Sequence, residues 1–377
     1  MKVLLRELQD DLYAKGITNN ELAKKWGVSS GIVSDVFNGK TQMRFYYLSK
    51  TLINLYEDRE IRRTKVKRYI SMTKPRSLRE AMEYLSLRGE FSLLKNVVEK
   101  ELDSPNKVNR EWAGVYALIL KRYTENIKPK EFYAMIESKN RCAKTLEMQI
   151  LTELLLCQAL YQNKNYRSLF DRLLDVEKGI NDIKNKFIRN SFMIRYKEAC
   201  GVISLQRGCS EKTRNVCKDI LDIYENDVSF VLPYITAIGK VGESYFFENY
   251  EKAKFFLEKG ISLLDNFSEI GLVKKKEMFQ YTLNFLKMFH WKNTDGLEKM
   301  LGDAGMAYFR CRQGRYEEAE QLLKQIERKN GRLTSFETFY LGIARNDRDL
   351  LKKSLEMFED SGNIFYSKLP KLYLGII

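Results

Sequence analysis

The chain has 377 residues, 44% of them apolar, with 65 Lys or Arg against 50 Asp or Glu and a single His. That length exceeds one ordinary domain, so at least two units, or one small unit and an extended array, are expected. The net charge of +15 suits a polyanion partner, while the lack of any run of about eighteen apolar residues argues against a membrane span.

In chain order, MKVLLRELQDDLYAKG opens with Val3, Leu4, Leu8 and Leu12 at helical spacing. The acids inside that pattern exclude a signal peptide. Thr18 followed by Glu21 is a capping box, after which Leu22, Ala23 and Trp26 share a helix face and Gly27 supplies a tight turn. Ser29 or Ser30 caps a second short helix with Ile32, Val33, Val36 and Phe37, which Asn38-Gly39 stops. Small Ala23, Gly27 and Val33 sit where two steeply crossing helices touch, so residues 18–40 read as a helix-turn-helix. Its outward face carries Ser29, Ser30, Gly31, Ser34, Asp35 and Asn38 for base edges. Lys24, Lys25 and Lys40 stand ready for phosphate.

Phe45, Leu48, Leu52 and Leu55, with Tyr56, predict a further helix closing a unit at 1–58. A basic linker and hinge over 59–76 follows, with Arg62, Arg63, Lys65, Lys67 and Arg68, Pro75 as a helix breaker and Ser77 as the next cap. Charge supports this division: residues 1 to 76 hold sixteen Lys or Arg against eight Asp or Glu, more than half the chain's surplus in a fifth of its length.

Residues 77–377 read as helix pairs. Gly89-Glu90-Phe91, Lys164-Asn165-Tyr166, Glu248-Asn249-Tyr250 and Gly314-Arg315-Tyr316 each place an aromatic two residues after a turn-forming one. An apolar or small residue follows three places on, at Leu94, Leu169, Ala253 and Ala319. Spacings of 75, 84 and 66 between the aromatics leave room for degenerate copies at 111–137, 187–224, 272–301 and 333–360. The expected fold is therefore all-α, a small helix-turn-helix domain followed by a right-handed superhelical solenoid of irregular tetratricopeptide-like repeats. Its concave surface is built from the first helix of each pair.

No phosphate loop, dinucleotide fingerprint or nucleophile elbow occurs, so an enzyme is not expected, and no cofactor. Cys142, Cys157, Cys200, Cys209, Cys217 and Cys311 form no C-x-x-C pair and read as small buried thiols in a reducing cytoplasm. His290, inside Met288-Phe289-His290-Trp291, reads as a hydrogen-bonded structural residue rather than a metal ligand or catalytic base.

Four passages add a resemblance: Phe187-Ile188-Arg189-Asn190-Ser191-Phe192 with Arg195, Tyr250-Glu251-Lys252-Ala253 with Phe256-Leu257, Met278-Phe279-Gln280 with Phe285-Leu286, and Ser361-Gly362-Asn363-Ile364-Phe365 to Leu369-Pro370. With the basic helix-turn-helix and the repeats, the chain resembles the arbitrium peptide receptors (AimR) of temperate Bacillus phages. The resemblance implies a regulator in the bacterial host cytoplasm that acts on a double-stranded DNA operator in the lysis-lysogeny decision. It also implies a switch-off by a secreted peptide of about six residues, and a homodimer. It assigns peptide contacts to Val202, Gln206, Leu232, Glu243 and Asn363, of which Val202, Leu232 and Glu243 depart from the residues usual in the family. Past Leu369-Pro370 only Lys371 to Ile377 remain, so a dimer contact there is reduced or differently built. The competing reading is a repeat protein that regulates a partner protein rather than acting through DNA.

Overall fold

The computed structural model describes residues 1–173, 175–226 and 230–377, and every regular element among them is helical. The first five are α1 (Lys2–Ala14), α2 (Asn19–Trp26), α3 (Ser30–Phe37), α4 (Phe45–Leu55) and α5 (Arg59–Met72). The capping box forms as expected: Thr18 accepts from the Glu21 N–H while the Glu21 carboxylate accepts from the Thr18 N–H at 2.8 Å. Gly27 ends α2 at φ 70°, a conformation other residues avoid. Ser29 holds the cap position of α3 without a side-chain bond. The Trp26 indole stacks on Tyr47 at 4.5 Å and donates to Thr51 Oγ1 at 3.2 Å, which fixes α2 against α4.

Two expectations need correction here. In α1 the buried stripe is Leu4, Leu5, Leu8 and Leu12, and Val3 faces solvent, because the stripe follows the 3.6-residue turn across positions 4, 5, 8 and 12. Pro75 is the first residue of the next helix and Lys74 its cap, so Ser77 lies inside the helix. Proline suits that position because its missing N–H would have no helical partner anyway. The basic run is largely engaged within the chain: Lys65 and Arg68 clamp Glu7 at 2.9 and 2.6 Å, and hydrogen bonds from Arg68 and Lys65 hold that carboxyl down at about 2. Arg63 reaches Glu90, and Arg62 donates to the Tyr56 carbonyl.

Helix pairs follow: α6 (Pro75–Arg88) with α7 (Phe91–Leu102), α8 (Lys107–Thr124) with α9 (Pro129–Cys142), and α10 (Leu146–Gln162) with the short α11 (Tyr166–Arg172). After α12 (Val176–Asn181) come α13 (Lys186–Gln206) with α14 (Ser210–Asn226), then α15 (Val231–Ser244) with α16 (Tyr250–Leu264). The rest is α17 (Ile270–His290), α18 (Asp303–Arg312) with α19 (Tyr316–Asn330), α20 (Ser335–Arg345) with α21 (Arg348–Ser361), and α22 (Lys368–Leu374). All four turn passages join the helices of a pair, and Phe91, Tyr166, Tyr250 and Tyr316 each begin the second helix. The copy expected at 272–301 is incomplete: after α17 the chain makes only a 3-10 turn over Leu297–Met300. Trp291 and Asn293 at positive φ and Gly296 at φ 70° break the helix before a second one can start.

Helical pairs of this kind bury one face against the preceding pair, so the repeats form a solenoid. One apolar core runs from Leu4 through Trp112 and Leu155 to Phe279 and includes both the helix-turn-helix and the first repeats. A second, rich in aromatics, gathers Phe246, Phe285, Tyr308, Phe339, Phe358 and Phe365 in the C-terminal half. Each such ring, fully buried, contributes about 1.5–3 kcal/mol. The solenoid folds back on itself: the carbonyl of Gln206, at the end of α13, accepts the N–H groups of Ile364 and Phe365 at 2.8 and 3.1 Å. The thiols divide, with Cys142 and Cys209 exposed rather than buried and Cys157, Cys217 and Cys311 in the interior. Both exposed thiols lie at helix ends, where the apolar face runs out.

Candidate nucleic-acid interface and ligand site

At the helix-turn-helix, α2 and α3 bring all nine expected DNA-facing residues onto neighbouring turns. Lys24, Lys25, Ser29, Gly31, Asn38 and Lys40 are exposed, and Ser30, Ser34 and Asp35 half-buried. Asn38 Nδ2 donates to Ser34 Oγ at 3.2 Å, and Lys40 lies 3.9 Å from Asp35. Lys25 donates to Asn54. Ile32, grouped with the core residues in the sequence, is 39% exposed on the same surface. Two cations escaped sequence reasoning. Arg44 is exposed over the Tyr47 ring, and Lys186 comes from α13, its Nζ 3.8 Å from where a Cβ on Gly27 would sit. Nothing local in sequence could have brought Lys186 here.

A buried carboxylate fastens this unit to the repeats. Glu80 accepts from the Tyr46 N–H at 3.3 Å and from Asn185 Nδ2 at 2.8 Å, and the rings of Tyr46 and Phe187 lie 5.9 Å apart. From that anchor α13 runs 21 residues, about 30 Å at 1.5 Å per residue. Midway Arg195 forms a double hydrogen bond with Glu83 of α6 at 2.9 and 3.0 Å and donates to Ser86, while Tyr116 donates to Glu83 at 2.7 Å. Further along, α13 carries Glu198, Val202 and finally Gln206.

There the first helices of several pairs meet side chain to side chain across the inner face. Arg122 of α8 donates to Gln158 of α10, and Lys275 of α17 to Thr236 of α15. Lys240 of α15 bonds Tyr161 of α10 at 2.9 Å and Glu243 at 2.6 Å, and Tyr366 donates to Glu243 at 3.0 Å. Burial pulls the Lys240 ammonium down, but Glu243 and Tyr161 outweigh it and hold its pKa above the ordinary lysine value. Burial likewise pushes the Tyr366 phenol well up, with Glu243 adding to the effect.

Of the expected peptide contacts, Gln206, Glu243 and Asn363 converge around Tyr366, whose N–H bonds Asn363 Oδ1 at 3.2 Å. Glu243 is nearly buried and already paired. Gln206 and Asn363 are buried, and Gln206 Oε1 has no hydrogen-bond partner. Leu232 is buried in the main core, apart from this cluster. Val202 is half-buried, one turn beyond Glu198. The pairing of Glu243 with Lys240 on one helix face is legible in the sequence: Lys240 is the single charged residue in the run Val231 to Gly242, and a lysine buried in an apolar helix needs a partner. Lys275, within Lys274-Lys275-Lys276, carries no such sign. His290 Nε2 lies 2.8 Å from the Phe246 carbonyl, the structural bond expected of it.

These features define a helical-repeat protein with a helix-turn-helix at one end and a polar inner face at the other. The family model for AimR transcriptional regulator-like proteins matches residues 62–374, and the chain belongs to that family of transcriptional regulators, which are not enzymes. It is 24% identical to the AimR transcriptional regulator of Bacillus phage SPbeta over 94% of this chain and 92% of that one. It is 32% identical to an uncharacterized protein of Bacillus anthracis over 63% of this chain and 87% of the other. The fold matches a ligand-bound phAimR structure with a TM-score of 0.71 at 23% identity, covering 87% of this chain and 95% of that one.

Proposed function

We propose that the chain is a DNA-binding regulator of a phage lysis-lysogeny decision, switched off when a short secreted peptide of about six residues occupies the inner face of its repeats. Family membership supports the regulatory role. The observation that carries the mechanism is α13, one unbroken helix between the helix-turn-helix anchor at Asn185 and the polar inner face at Glu198 and Val202. A ligand that moves the far end of a rigid helix moves the near end with it, provided it binds one arrangement more tightly than the other.

In this reading a bacterial cytoplasm is the setting, and a homodimer presents two copies of α3 to a two-fold operator. Ser29, Ser30, Gly31, Ser34, Asp35 and Asn38 meet bases, and Lys24, Lys25 and Lys40 meet phosphate. Among the expected peptide contacts, Glu243 and Val202 touch ligand. Gln206, Leu232 and Asn363, being buried, shape the wall behind them. A basic peptide residue would take Glu243 from Lys240 and so disturb Tyr366 and the fold-back onto Gln206. The test is selection of genomic fragments by the full-length protein, followed by binding of the selected fragment to wild type and to Ser34→Ala/Asn38→Ala. Loss of discrimination between fragment and random DNA supports the reading. A protein that selects no DNA sequence contradicts it.

A further inference from the structure

We propose that Arg122 and Lys275 form a binding site for a carboxylate of the peptide ligand on the inner face of the repeats, an assignment that rests on the peptide reading above. The site begins with a close approach. A Cβ on Gly271 would lie 2.8 Å from Tyr123 Cα and 2.9 Å from the Arg122 carbonyl oxygen, so only glycine lets α17 rest on the last turn of α8. Lys275 is one turn beyond Gly271, on the helix that rests on Arg122's own turn, and its ammonium lies within the field of the Arg122 guanidinium. Two cations 153 positions apart in sequence are thereby carried by neighbouring turns of α8 and α17, both half-buried.

Neither cation has a carboxylate at ion-pair distance among the described residues. Lys275 bonds the neutral Thr236 hydroxyl, and Arg122 bonds the neutral Gln158 amide. Glu198 is the acid whose field reaches Lys275, without forming an ion pair with it, and Lys240 adds a third cation nearby that is already matched by Glu243. Burial first, and then Arg122 and Lys240, push the Lys275 ammonium down to about 8 despite Glu198. Half-buried like charges without an ion-paired carboxylate favour whatever anion can reach them, and a carboxylate has two acceptor oxygens to offer a guanidinium and an ammonium. A peptide offers such a group at its C-terminus or on an acidic side chain.

The test equilibrates full-length protein with random synthetic hexapeptides in three pools and identifies retained peptides by mass spectrometry. One pool has free C-termini and no Asp or Glu, one is amidated with Asp and Glu, and one is amidated without them. Retention of either carboxylate-bearing pool over the amidated acid-free pool is expected, and which of the two is retained tells the terminal from the side-chain source. Lys275→Met and Arg122→Met are expected to lower that retention about tenfold or more. Lys275→Arg, which keeps the charge, retains it and guards against a folding defect. Equal retention of the acid-free amides, or undiminished retention by both Met variants, would overturn the site while leaving the peptide reading standing. Retention of no pool by wild type would overturn both.

Discussion

Arg195→Met is the sharpest perturbation of the helix that joins the two ends of the molecule. Arg195 is 8% exposed and Glu83 is fully buried, and the pair is completed by Ser86 and Tyr116. Removing the guanidinium leaves Glu83 as a buried carboxylate with only hydroxyl partners, and breaking a buried pair in this way costs about 3–5 kcal/mol. Replacing both members by groups of similar volume removes the stranded charge. Glu83→Leu/Arg195→Met should therefore recover most of the loss, with Tyr116 the one polar group left unpaired at about 1–3 kcal/mol. Urea unfolding followed by circular dichroism measures both variants against wild type, and the double-mutant cycle gives their coupling. An Arg195→Met loss below about 1 kcal/mol, or a double variant no more stable than the single one, would refute the view that α13 is pinned to α6 by this pair.

Other expectations follow from separate features. Lys24→Ala or Lys40→Ala should weaken binding to all DNA and each reduce the salt slope of binding by about 1, read from anisotropy titrations at several salt concentrations. Lys275 has a folded value near 8, below the ordinary 10.5. The unfolded chain therefore binds more protons between those two pH values, and stability rises as pH climbs from about 8 toward 10.5. Lys275→Met should accordingly stabilise the protein at pH 7, with the advantage shrinking across that window; thermal melts showing the same advantage at pH 7 and pH 10 would contradict this. Gly271→Ala should cost about 1–3 kcal/mol by wedging α17 off α8, measured by the same unfolding assay. Leu369 and Leu374 are buried, whereas Leu372, Tyr373, Ile376 and Ile377 are exposed, so changing those four to Ser or Gln tests a dimer seam at the tail without opening the core. Light scattering should show a weakened dimer.

Local chemistry made much of the fold legible. The capping box at Thr18, the left-handed Gly27 and the aromatics Phe91, Tyr166, Tyr250 and Tyr316 act within a few residues of themselves, and each appears where its sequence places it. Errors arose where tertiary context decides. An exposed Cys142 looks like a buried one in a string of letters. The inner face was legible at Lys240, isolated in an apolar run, but not at Lys275 or Arg122. Those two are joined only by a contact that depends on the missing side chain of Gly271. The buried Gln206 and Asn363 were located together through a backbone fold-back that no periodicity encodes.

The central claim is that a peptide on the inner face of the repeats changes what the helix-turn-helix can hold. Its most direct test is anisotropy of the genomic fragment the protein selects, titrated with protein in the presence and absence of the hexapeptide it retains most tightly. Moving the DNA from nearly bound to nearly free requires about 5 kcal/mol of difference in peptide affinity between the two states. The account predicts that saturating peptide weakens DNA binding by about a thousandfold or more, with DNA weakening peptide binding by the same factor. Tight peptide binding with unchanged DNA affinity would contradict it.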